Sequence, residues 1–202
     1  EQEKAITQLQ EAMELKNDKD RVVVGDPIGG RFLKARTADD GNTGKEEAFG
    51  NRPMADSGEA CFASSGTNIR KLKNGREVLV SGGLSSHLFK GNKKMFLPII
   101  QGKETTGANS IAAKNKRMMI VVGGDFNTKD STLKNCFITK NGGRSWFASN
   151  SSPSGYRSCA EYIKEDQWIT CGLNGVDISN DNGINFTRIS KESFHVCRRA
   201  KK

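Results

Sequence analysis

The sequence predicts an all-β fold of repeated antiparallel units. Three observations carry this: a surplus of glycine, a strand-and-glycine pattern that recurs four times, and a polar turn pattern that keeps step with it. Glycine supplies 22 of the 202 residues against only 4 prolines, about 11% where an average chain holds near 7%. Several Asn-Gly pairs accompany that surplus, the signature of tight turns between short strands.

The first pattern is a polar turn, an apolar β-rich run and a glycine. It occurs at residues 19–25, 74–82, 115–123 and 165–172, with the runs Val22-Val23-Val24, Val78-Leu79-Val80, Met118-Met119-Ile120-Val121-Val122 and Trp168-Ile169-Thr170-Cys171. Each reads as a buried strand entered by a tight turn. The second pattern has the form Ser/Thr-x-Asp/Asn-x-Gly-x-x-aromatic. It is clearest at residues 139–146, with Thr139, Asn141, Gly143 and Trp146, and at 179–186, with Ser179, Asp181, Gly183 and Phe186. It recurs with Thr37, Asp39 and Gly41, where Gly44 stands in the aromatic position, and in worn form around residues 89–96. The hydroxyl and the Asp/Asn side chain suit bonds to nearby backbone N–H groups, glycine supplies the positive φ that reverses the chain, and the aromatic packs inward.

The turn copies start roughly 40 to 50 residues apart, the period of a propeller blade. The expected units are residues 12–50, 58–98, 108–148 and 156–190, with 193–202 beginning a further blade. At the N-terminus, Ala5, Ile6, Leu9, Ala12 and Met13 fall at helical spacing. The repeat instead places a blade strand at residues 12–15, paired with 22–25, and leaves residues 1–10 as loop or frayed helix.

The turn pattern resembles the Asp-box, or bacterial neuraminidase repeat. The stretches 25–32, 58–67, 122–126, 153–158 and 193–195 are similar to successive motifs of bacterial Asp-box propellers of the photosystem II assembly and stability factor family, often grouped with sialidase-like proteins. The likeness runs over about residues 13–202. It implies a seven-bladed β-propeller of four-stranded blades, usually exported to the periplasm or cell exterior and without a cofactor. About four to five blades fit in this length, so an incomplete ring is expected, as is a fragment lacking its signal peptide.

The loops between blades hold Asp26, Arg31, Glu59, Asp125, Tyr156, Arg157 and His195. Equivalent loops of a propeller converge around its channel, so these side chains can share one pocket. Arg157 would then be the natural ligand for an anion or carboxylate. The competing reading has Asp26 and Asp125 bonding turn backbone and Arg157 pairing with Glu59. A sialidase-like enzyme would use Tyr156, Glu59 and Arg157, since that chemistry takes a carboxylate-activated Tyr as nucleophile. Only two Tyr are present, and the Arg-Ile-Pro motif expected of that family is missing. A non-enzymatic binding or assembly module for a protein, anionic or carbohydrate partner is therefore the leading expectation.

Composition narrows the partners. Thirty-two Lys and Arg against 23 Asp and Glu give a net charge of +9, in short clusters at residues 70–76, 90–94, 114–117 and 198–202. The clusters lack neighbouring aromatics for base stacking, so a basic face for an acidic surface is favoured over nucleic acid. The longest apolar run, residues 118–122, is far short of a membrane span. The five cysteines, Cys61, Cys136, Cys159, Cys171 and Cys197, show no C-x-x-C spacing, and no metal site is expected from them. They read as small buried apolar groups, with a Cys159–Cys171 bridge open as an alternative across a hairpin at Glu165-Asp166.

Overall fold

A computed structural model describes residues 13–15, 21–39, 41–73 and 75–200. The expectations for residues 1–10 and for Ala12 lie outside the described residues. The strands follow one another as β1 (Met13–Leu15), β2 (Arg21–Ile28), β3 (Arg31–Thr37), β4 (Lys45–Glu46), β5 (Glu59–Ala60), β6 (Ile69–Lys71), β7 (Glu77–Val80), β8 (Gly82–Gly83), β9 (His87–Lys90) and β10 (Lys93–Phe96). After these come β11 (Thr106–Ala113), β12 (Met119–Asp125), β13 (Cys136–Thr139), β14 (Phe147–Ala148), β15 (Cys159–Lys164), β16 (Gln167–Gly172), β17 (Gly175–Ser179) and β18 (Thr187–Ser190). No helix among the described residues is long and apolar enough to cross a membrane.

Every pairing between these strands is antiparallel. The first sheet is β1-β2-β3-β4, the second β6-β7-β9-β10 and the fourth β15-β16-β17-β18. The third, β11-β12-β13-β14, is extended by the two short strands β8 and β5. The leading strands touch in succession, β1 with β6, β6 with β11 and β11 with β15. Four-stranded sheets arrayed side by side on their first strands are the blades of a β-propeller, here an arc of four. The four valine-, methionine- and tryptophan-bearing runs form β2, β7, β12 and β16, the second strand of each blade. At the N-terminus β1 is a strand, with Met13 opposite Val23 and Leu15 opposite Arg21.

The core lies between blades. Val24, Phe32, Ile69 and Phe89 join the first blade to the second. Leu88, Leu97, Ile111 and Met119 join the second to the third, and Ile120, Ile138, Trp168 and Phe186 the third to the fourth. The turns between third and fourth strands help to make these joints. In three of them one hydrogen-bond pattern recurs. The hydroxyls of Thr37, Thr139 and Ser179 accept the amides of Gly41, Gly143 and Gly183 at 3.1, 2.8 and 2.9 Å. Oδ1 of Asp39, Asn141 and Asp181 accepts the amides of Thr43, Ser145 and Asn185 at 2.9, 3.0 and 2.9 Å. Hydrogen bonds of the first turn hold the half-buried Asp39 carboxyl down at about 2, chiefly through the hydroxyls of Thr37 and Thr43.

Gly143 and Gly183 adopt φ of +88° and +84° and press on the preceding blade, where a Cβ would lie 2.4 Å from Leu88 Cδ2 and 2.4 Å from Ile120 Cδ1 respectively. Trp146 and Phe186 follow them into the same joints. At the first turn, Gly41 has only an Arg21 nitrogen at 3.9 Å and Gly44 has nothing within 4 Å, so the position lacking an aromatic also lacks a packed surface. In the second blade, where the motif is worn, β9 and β10 are joined by a two-residue turn at Gly91 and Asn92, with Gly91 at φ +55°.

Candidate functional site

Alternation of antiparallel strands gives each blade two ends. One, the loop end, holds the β2–β3, β7–β9, β12–β13 and β16–β17 links and the connections between blades. The other, the turn end, holds the remaining turns. Backbone bonds at each end keep the ends distinct. At the loop end the Arg157 amide donates to Gly123 O at 2.9 Å and the Tyr156 amide to Lys129 O at 2.8 Å. At the turn end the Gly142 amide donates to Arg117 O at 2.8 Å and the Asn182 amide to Asp166 O at 2.9 Å.

All seven loop residues singled out from the sequence lie at the loop end, and the polar side chains of six of them have partners of their own. Asp26 Oδ1 accepts the Cys61 amide at 2.8 Å, and Asp125 Oδ1 the Asn127 amide at 2.9 Å. Arg31 donates to Arg52 O at 2.6 Å and lies over the Phe49 ring. His195 is exposed, and its carbonyl accepts the Ser158 hydroxyl at 2.8 Å.

Glu59 and Arg157 do not pair with each other. Glu59, only 4% exposed, accepts the Asp56 amide at 2.7 Å, His87 Nδ1 at 3.0 Å, Lys94 Nζ at 2.9 Å and the Ser81 hydroxyl. Burial pushes its carboxyl up, but the His87 and Ser81 bonds, with those of the Asp56 amide and Lys94, outweigh burial and hold it below the usual range. Arg157 is wholly buried. Its Nε reaches Asp177 Oδ2 at 2.6 Å, Nη2 binds the same oxygen, and Nη1 takes Asn174 Oδ1 at 2.5 Å and Tyr156 O at 2.8 Å. Burial lowers this guanidinium and Asp177 draws it back. The Tyr156 hydroxyl donates to the Asn109 amide oxygen at 2.8 Å. Burial pushes its phenol up, away from phenolate.

At the turn end a group of cations stands beside a cleft. Lys93, Lys116, Arg117, Lys140 and Arg144 are all exposed there. Lys90 Nζ donates to Gly142 O across the second and third blades, and its ammonium is lowered by burial and then by the charge of Arg144. Beside them, between β10 and the 139–145 turn, opens a cleft of about 440 Å³ lined by Met95, Phe96, Pro98, Arg144, Ser145 and Trp146. Phe96 is 63% exposed, and Trp146 Nε1 is buried without a hydrogen-bond acceptor among the described residues. Sequence reading identified Trp146 only as a packing residue and the 90–94 cluster only as charge. The signal for their meeting is the blade period, which sets the third-blade turn against the second blade.

No protein-family model matches this sequence, and no curated protein matches it. Among solved structures, the GH74 enzyme of Niastella koreensis is 14% identical, covering 91% of this chain and 30% of its own, at a TM-score of 0.58. An ancestral GH74 enzyme is 15% identical, covering 88% of this chain and 25% of its own, at 0.51. YCF48 from Cyanidioschyzon merolae is 13% identical, covering 90% of this chain and 56% of its own, at 0.46. At such identities the likeness to the two GH74 enzymes is one of fold, and this chain spans under a third of the length of either.

Proposed function

We propose that this chain is part of an Asp-box β-propeller that serves as a binding module, without turnover of its own, for an acidic protein segment. One observation carries the reading: the exposed Arg144 lines an aromatic cleft beside the turn-end cations, while Asp26, Glu59, Asp125 and Arg157 at the loop end bond internally. Met95, Phe96 and Pro98 offer apolar surface with few partners for sugar hydroxyls, which favours a peptide with aliphatic side chains between its carboxylates. Arg144 supplies the fork for a carboxylate. Enzyme chemistry at Tyr156 is disfavoured because a nucleophile needs an activating base, and this phenol faces a neutral amide.

The test is fluorescence anisotropy with a labelled copolymer of glutamate and leucine. Binding that weakens with salt and falls about tenfold in Arg144→Glu, equivalent to about 1.4 kcal/mol, supports the proposal. Equal affinity in the variant overturns it, as does preference for heparin or an oligonucleotide of matched charge. Turnover of aryl glycosides that is abolished by Tyr156→Phe overturns the non-enzymatic part.

A further inference from the structure

Two clusters among the described residues bring three metal-ligating groups within 4.8 Å of one another. The first, Asp56, Glu59 and His87, already contains a cation, because Lys94 Nζ lies 2.8 Å from Asp56 and 2.9 Å from Glu59. The second, Cys159, Cys171 and Cys197, consists of three free thiols drawn from three parts of the chain.

Cys159 and Cys171 are direct partners across the β15–β16 hairpin, and both are buried. Cys197 reaches them because the segment after β18 folds back over this blade. The Phe194 amide donates to Gly172 O at 3.2 Å and the Ser158 hydroxyl to His195 O at 2.8 Å. The Cys197 amide and thiol then meet Cys159 Sγ at 3.4 and 3.6 Å. Metal–thiolate bonds of about 2.3 Å at tetrahedral to trigonal angles separate the sulfurs by about 3.8 to 4.0 Å; here Cys159 and Cys197 Sγ are 3.6 Å apart and all three sulfurs lie within 4.8 Å of one another. A disulfide would engage only two of the three sulfurs and draw them to about 2.05 Å.

We propose that Cys159, Cys171 and Cys197 form a tri-thiolate site for one thiophilic d10 cation of the Zn²⁺ class, which ties the C-terminal segment to the fourth blade. Cys197, only partly buried, gives the ion its way in and leaves a fourth position for water. Soft thiolate ligands select such ions, and an ion bound only by the folded site stabilises it by mass action.

The experiment titrates the full chain, reduced and kept anaerobic, with Cd²⁺ as a spectroscopic probe and Zn²⁺ as competitor. Thiolate-to-cadmium absorbance that saturates at one ion per chain and is displaced by Zn²⁺ is expected. Cys197→Ser, at a partly exposed position that should not disturb folding, should weaken Cd²⁺ binding by at least about tenfold. Cys61→Ser, outside the cluster, should leave it unchanged. Zn²⁺ should raise the thermal midpoint of the wild type and not of Cys197→Ser. Absence of thiolate absorbance in the reduced wild type, or equal binding in Cys197→Ser, overturns the proposal. So does a Cys159–Cys197 disulfide in freshly thiol-blocked protein together with no Cd²⁺ uptake after reduction.

Discussion

Arg157 and Arg144 sit in neighbouring blades and carry the same guanidinium, yet the fold uses them in opposite ways. Arg157, at the loop end, is wholly buried against Asp177, Asn174 and the Tyr156 carbonyl. Arg144, at the turn end, is exposed on the wall of a cleft. Arg157 therefore braces its own blade through a buried ion pair, while Arg144 keeps its charge available to a partner. Residue type alone does not separate the two; the solvation of each group does.

Removing one member of each set tests that contrast. Arg157→Ala should cost about 3–5 kcal/mol, because it strands the buried Asp177 carboxylate, whereas Arg144→Ala should stay within about 0.5 kcal/mol. Urea unfolding of both variants checks this, and similar losses would erase the distinction. The blade joints come next. Gly183→Ala should cost about 2–4 kcal/mol, from the left-handed backbone and overpacking on Ile120. Gly41→Ala shares the positive φ but has room around it, so it should lose only about 1–2 kcal/mol. Comparable thermal shifts in the two would mean that the turn does not press on its neighbour as described.

Ser179→Ala removes a hydroxyl bonded to both Gly183 and Asp181 and should cost about 1–2 kcal/mol. Acid gives a subtler contrast. Glu59 has a folded pKa below its unfolded value, so its contribution is fully present above about pH 4.3 and is lost as pH falls through the lower, folded value. Glu59→Gln should therefore flatten the loss of stability on acidification below about pH 4.3. Unfolding midpoints across that range follow the change, and an unaltered slope would show that the carboxylate is not engaged as drawn.

Local chemistry was legible in the sequence. The glycine-ended apolar runs became the second strands of the blades, because burial of both faces needs continuous β-branched or large residues. The turns at 37–43, 139–145 and 179–185 were readable because all their bonds close within six residues. The pairing of Cys159 with Cys171 followed from the hairpin between them. What escaped was set by packing between distant segments. Nothing near Arg157 or Glu59 in the sequence selects Asp177 or Lys94 as partner, and the residues that a shared loop pocket required turned out to be bound separately. Cys197 lies 26 residues beyond Cys171, so linear spacing hides a thiol cluster that the returning segment assembles.

Charge reversal at the two ends tests most directly whether the turn end is the binding face. Affinity for the labelled glutamate-leucine copolymer would be measured for wild type, for a turn-end variant carrying Lys116→Glu, Arg117→Glu and Arg144→Glu, and for a loop-end variant carrying Arg31→Glu. The turn-end variant should lose binding while its unfolding midpoint stays near that of the wild type, and Arg31→Glu should bind as the wild type does. Retained binding in the folded turn-end variant, or loss confined to Arg31→Glu, would contradict a turn-end binding face.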